Sequence, residues 1–117
     1  MHYTIGEVAR MMNIAPSTLR YYEKEGLLSL GVRASNGQRT YTDDDIATLS
    51  IIEYLKFCGL PLKEIRSFLP LIRPGGETLS ARRDILAKER DNVRAQIAAL
   101  QTKLERLEFG CWFYETA

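Results

Sequence analysis

The chain is poor in the residue types from which catalytic and metal sites are built. It has one histidine, His2, and two cysteines, Cys58 and Cys111, which lie far apart. No C-x-x-C or comparable pair is present, so a closed thiolate metal site lacks ligands. There is no nucleophile elbow and no phosphate-cradling glycine loop, and Gly75-Gly76 after Pro74 reads as a linker. No catalytic residue, metal or cofactor is therefore expected, and an enzyme is not the reading. No apolar run is long enough to span a bilayer, and the polar opening Met1-His2-Tyr3-Thr4 does not read as a secretory signal. The expectation is a cytoplasmic protein without a membrane partner, its cysteines reduced. A net charge of +1 gives no overall attraction to nucleic acid, so any such affinity must come from locally clustered cations.

What the sequence does contain is a succession of short helical signals. Thr4 and Glu7 fit a capping box, and Ile5, Val8, Ala9 and Met12 recur at the spacing of one buried helix face. Asn13-Ile14 breaks the pattern. Pro16 suits the first turn of a second helix, which runs to about Glu25 and stops at Gly26. Leu19 and Tyr22 are expected to face inward. Ser17, Arg20, Tyr21 and Lys24 share the opposite face.

Asn36-Gly37 is a hairpin signal, because a type I′ turn needs positive φ at both central positions. Short strands are predicted near residues 31–33 and 39–42. Arg33, Arg39 and Tyr41 lie on or beside this hairpin. Asp43, Asp44 and Asp45 suit the start of a third helix, whose apolar positions Ile46, Leu49, Ile52 and Leu55 continue to a stop at Gly59. Leu62, Ile65 and Leu69 mark a fourth, limited by Pro70 and Pro74. Beyond the linker, Leu79, Leu86, Val93, Leu100 and Leu107 are seven residues apart, with Ile97 and Leu104 on a second seam position. Such a repeat favours a coiled coil, here a rod of roughly 45 Å at 1.5 Å per residue. A lone rod would leave its leucine stripe in water, so self-association is expected.

The fold class expected is mainly α. Residues 1–72 form a winged helix-turn-helix domain, 73–76 a linker, 77–108 a dimerisation coiled-coil helix and 109–117 an aromatic tail. The clustered cations, tyrosines and hydroxyls of the second helix and hairpin suit phosphate and base contacts on double-stranded DNA. Cys58 reads as an apolar filler or a reactive thiol. Cys111, within Phe109-Gly110-Cys111-Trp112-Phe113-Tyr114, reads either as part of an aromatic tail that packs on a partner subunit or as a sensor.

Three spaced motifs resemble the MerR-type transcriptional regulators. They are Thr4-Ile5-Gly6-Glu7-Val8-Ala9 with Thr18-Leu19-Arg20-Tyr21-Tyr22-Glu23, the run from Arg33 through Gly37-Gln38-Arg39-Thr40-Tyr41, and Gly59-Leu60-Pro61-Leu62-Lys63-Glu64-Ile65. The resemblance implies a homodimer joined by an antiparallel coiled coil, whose two winged domains read halves of a pseudo-palindromic promoter and distort its DNA. RNA polymerase would then be reached only through the promoter. Ser17, Thr18, Arg20, Tyr21 and Lys24 would enter or flank the major groove, and Arg33, Arg39 and Tyr41 would hold the backbone beside it. Only residues 109–117 follow the repeat, so no separate drug-binding domain is expected. The resemblance is then to short members that answer to electrophiles or oxidants through a cysteine, Cys111 first and Cys58 second. The alternatives are a coiled-coil protein–protein adaptor and a DNA-bending accessory factor.

Overall fold

The computed structural model describes residues 1–28, 32–33, 37, 39–73 and 75–117, with Val32, Arg33 and Gly75 described by their backbone alone. The chain divides into two compact units, Met1–Gly76 and Glu77–Ala117.

In the first unit, β1 (His2–Thr4) leads into α1 (Ile5–Met12). Thr4 and Glu7 form the reciprocal capping box, with Glu7 N–H on Thr4 Oγ1 at 3.2 Å and Thr4 N–H on Glu7 Oε1 at 3.0 Å. Asn13 ends the helix in the left-handed region (φ 54°), and the Ile14 N–H returns to the Ala9 carbonyl at 3.0 Å. α2 (Pro16–Lys24) follows at once and packs on α1, which completes a helix-turn-helix. Gly26 (φ 76°) closes α2, the Leu27 N–H bonding the Tyr22 carbonyl at 2.9 Å.

The wing is β2 (Val32–Arg33) and β3 (Arg39–Thr42), paired antiparallel with Val32 opposite Thr40 and Arg33 opposite Arg39. Gly37 has φ 83°, as a hairpin turn requires, whereas Asn36, Gln38 and the expected strand start at Gly31 lie outside the described residues. β1 joins the other edge of β3, with Tyr3 opposite Tyr41, so the sheet has three strands in the order β1-β3-β2. The sequence reading contained no β1. β3 runs directly into α3 (Asp43–Phe57) through a second capping box, Thr42 with Asp45. Gly59 (φ 95°) stops α3, with Leu60 N–H on the Leu55 carbonyl at 3.1 Å.

α4 (Leu62–Ile72) packs on α3 and carries Pro70 inside it. Helix α4 therefore passes the proline expected to limit it. Pro70 withholds its N–H from the Arg66 carbonyl and its ring crowds that carbonyl, so the helix loses one bond and then runs on only through Leu71 and Ile72. Pro74 lies outside the described residues. The core of the unit gathers Val8, Leu19, Tyr22, Tyr41, Leu49, Ile52, Leu55, Ile65 and Phe68.

The second unit is dominated by α5 (Leu79–Thr116), 38 residues or about 57 Å at the helical rise. It does not stop at residue 108. Gly110 sits within it, and the aromatic segment expected as a tail forms its last two turns. No helix among the described residues is long and apolar enough to cross a membrane.

Candidate nucleic-acid interface

α2 exposes a coherent polar face. Ser17, Arg20, Tyr21 and Lys24 are all exposed and Thr18 is half-buried. The opposite stripe, Leu19, Tyr22 and Glu23, is buried. Leu19 and Tyr22 are the inward residues the periodicity predicts. Glu23 is not, and it organises the site.

The Glu23 side chain is 2% exposed and takes two partners from the wing. Its Oε2 receives the guanidinium of Arg39, and its Oε1 receives the hydroxyl of Tyr41. A carboxylate removed from water needs such partners, and both come from β3. The wing is thereby fastened to α2. Burial first, and then the hydrogen bond to Glu23, push the Tyr41 hydroxyl well above the usual tyrosine range.

This geometry corrects one expectation. The sequence predicts Tyr41 beside the phosphate backbone, but its side chain is fully buried and its hydroxyl is committed to Glu23. It belongs to the core. Alternation along β3 turns Tyr41 onto the face covered by the helices, where an aromatic ring buries more apolar area than it could beside a phosphate. Arg39 remains 39% exposed while paired, so it is oriented rather than consumed. Arg33 is described by its backbone alone, opposite Arg39.

Two further contacts hold α2 from below. Tyr22 donates to Glu53 at 2.7 Å and accepts from Lys56 Nζ at 3.1 Å. Burial, then Glu53, raises the Tyr22 pKa, and the Tyr22 hydroxyl keeps Lys56 protonated. Arg66 on α4 donates to the Glu25 carbonyl and to its carboxylate, the latter at 3.0 Å. Sequence reasoning missed Glu23, Glu53, Lys56 and Arg66. For Glu23 a signal existed: it stands four residues after Leu19 on the inward stripe, where a carboxylate demands a buried partner.

On α5 the repeat is exposed. Leu79, Ile97, Leu100, Leu104 and Leu107 are each at least half exposed, Val93 is 37% exposed, and Leu86 is half-buried. Because the helix continues, Cys111 and Tyr114 occupy the next two positions of the same stripe, seven residues beyond Leu104 and Leu107. Phe109, Trp112 and Phe113 fall outside that stripe and are exposed as well. Cys111 is exposed and Cys58, at the C-cap of α3, is half-buried. Cys58, through the charge of its thiolate form and through its hydrogen bond, raises the pKa of neighbouring Tyr54.

Comparison with known proteins gives a consistent result. Residues 3–71 match the family described as MerR HTH family regulatory protein, and residues 46–108 match the one described as MerR, DNA binding. An uncharacterised HTH-type transcriptional regulator of Haemophilus influenzae is 38% identical over 117 residues, which is 100% of this chain and 87% of that protein. The HTH-type transcriptional regulator ZntR of Escherichia coli K12 is 36% identical, over 93% of this chain and 80% of its own. Among solved structures, HiNmlR, a MerR family regulator lacking the sensor domain and bound to promoter DNA, superposes with a TM-score of 0.72 at 37% identity, covering 98% of this chain and 87% of that one.

Proposed function

The chain belongs to the MerR family of DNA-binding transcriptional regulators, which are not enzymes, and from that premise we propose that it acts as a homodimer reading two halves of one promoter element. The observation that carries this reading is the joint presentation of Ser17, Arg20, Tyr21 and Lys24 on α2 with Arg39, which Glu23 ties to the same helix. Arg20 and Lys24 supply base-edge and phosphate contacts, and Ser17, Thr18 and Tyr21 supply hydroxyl donors at the margin of the groove. Arg39, and Arg33 opposite it on the hairpin, neutralise the flanking phosphates. Lys56, kept protonated by Tyr22, adds a cation.

Dimerisation rests on the α5 stripe of Leu79, Leu86, Val93, Ile97, Leu100, Leu104 and Leu107, extended by Cys111 and Tyr114. An apolar stripe of this length is seldom left in water, and a seven-residue period matches a left-handed supercoiled pair. Antiparallel pairing of two such rods sets two winged units at a fixed separation. Promoter DNA whose half-sites do not match that separation must bend or untwist to engage both, at a cost offset by the added phosphate contacts. RNA polymerase is then affected only through the altered promoter. Control by an electrophile or oxidant is assigned to Cys111 first and Cys58 second. Cys111 lies on the stripe itself, so its modification would change how two helices pair.

The test is transcription in vitro from the promoter upstream of the chain's own gene, with a parallel footprint. The reading predicts two protected half-sites and regulated output, with the response to an aldehyde or oxidant lost in Cys111→Ser or in Cys58→Ser. A single short footprint, or output indifferent to the protein, contradicts the dimeric reading. Regulation that ignores both the reagent and the substitutions removes the thiols from control.

A further inference from the structure

We propose that the groove between α2 and the α3–α4 pair is a binding site for a small aryl carboxylate. The groove has a volume of about 410 Å³. That is the lower part of the range in which small-molecule sites fall, and it suits a single ring with a short polar group. Its walls are of two kinds. Leu62 offers a half-exposed apolar edge above a floor of buried Ile52, Leu60 and Ile65, while Lys56, Ser17 and Thr18 place an ammonium and two hydroxyls at the rim.

The cation is held in place. Tyr22 directs its own proton to Glu53 at 2.7 Å and presents its oxygen to Lys56 Nζ at 3.1 Å, which engages one N–H of the ammonium and leaves the others for a ligand. The same rim carries the amino end of α2, where Ala15 gives no side-chain cap, so the positive end of the helix adds to the field. An anion with an apolar body satisfies both walls. Inorganic phosphate satisfies only the rim, and a neutral arene only the floor.

Occupancy has a consequence that rests on the reading of α2 given above. The ligand would touch Ser17, Thr18, Tyr21 and Lys56, four side chains assigned to DNA, so binding of carboxylate and of promoter would be antagonistic. The groove would then make the DNA-binding unit itself responsive to a metabolite.

The test is an NMR titration of the ¹⁵N-labelled full chain with benzoate, alongside inorganic phosphate and benzamide. Benzoate is expected to give saturable shifts centred on Ser17, Thr18, Tyr21 and Lys56, with the neutral amide and phosphate much weaker. Lys56→Gln should weaken benzoate by at least about tenfold, as expected for loss of a charge-assisted hydrogen bond. Leu62→Trp, which fills the groove from its half-exposed wall, should abolish the shifts while Lys56 remains. The site is overturned by shifts that never saturate, by equal responses to phosphate or benzamide, or by Lys56→Gln and Leu62→Trp binding like wild type. Saturation by benzoate in a chain that binds no promoter DNA would support the site and refute the DNA reading of α2. Saturation with unchanged promoter affinity would overturn the antagonism.

Discussion

The hydroxyl of Tyr41 on β3 donates to the carboxylate of Glu23 on α2, and this bond joins wing and helix inside the core. Both side chains are withdrawn from water, so neither has a solvent alternative. Tyr41→Phe keeps the ring and removes the donor. It should cost about 1.5–3 kcal/mol, the range for hydrogen bonds to charged groups. A denaturant midpoint lowered without change in the slope is the expected result. An unchanged midpoint would mean that the bond contributes nothing net.

The same bond sets a pH dependence. The folded-state pKa of Tyr41 is raised above its ordinary value near 10 by burial and by Glu23. Above about pH 10 the unfolded chain therefore gives up this proton while the folded chain keeps it, so stability falls as pH rises. The contribution is fully present below about pH 10 and is lost towards the folded-state value. Thermal denaturation between pH 9 and pH 11 should show a decline that is shallower in Tyr41→Phe. Parallel curves for the two proteins would remove Tyr41 as its source.

Much of this architecture is legible in the sequence because it is local. The Thr4–Glu7 box, the inward Leu19 and Tyr22, the stop at Gly59 and the seven-residue repeat each depend on residues within a few turns of one another. What escaped depends on partners distant in sequence. β1 is three residues long and gains its identity only from pairing with β3 some forty positions later. Tyr41 looks like a backbone contact beside two arginines, and only the closure of the helices over β3 buries it. Glu23 reads as one more surface charge until the same closure removes it from water. The run past residue 108 was hidden by Gly110, which penalises a helix interior by about 1 kcal/mol but does not end it.

Thr42 couples the wing to α3 through a reciprocal cap with Asp45. Thr42→Ala should cost about 0.5–2 kcal/mol, and Thr42→Ser should recover most of it, since the serine hydroxyl can accept the same bond. Thermal melts of the three proteins decide this. Equal melting temperatures for the alanine and wild-type chains would show that the cap is dispensable.

Leu100 is 61% exposed in the middle of the α5 stripe. If this stripe is the dimer seam, Leu100→Asp places a charge where two rods meet and should convert the dimer to monomer at micromolar concentration. Sedimentation velocity reads this directly. An undiminished dimer in the variant would move the contact elsewhere, and a wild-type chain already monomeric would contradict the dimeric reading.

That α2 and the wing bind promoter DNA is tested most directly by fluorescence anisotropy of the own-gene promoter across a salt series. Wild type should bind with affinity falling steeply and linearly in log–log form as salt rises, because bound cations release counterions from the phosphates. Arg20→Ala should bind about 5- to 150-fold more weakly, corresponding to roughly 1–3 kcal/mol, and should discriminate less between promoter and scrambled DNA. Wild-type affinity that is negligible and insensitive to salt, or an Arg20→Ala chain indistinguishable from it, would contradict the account.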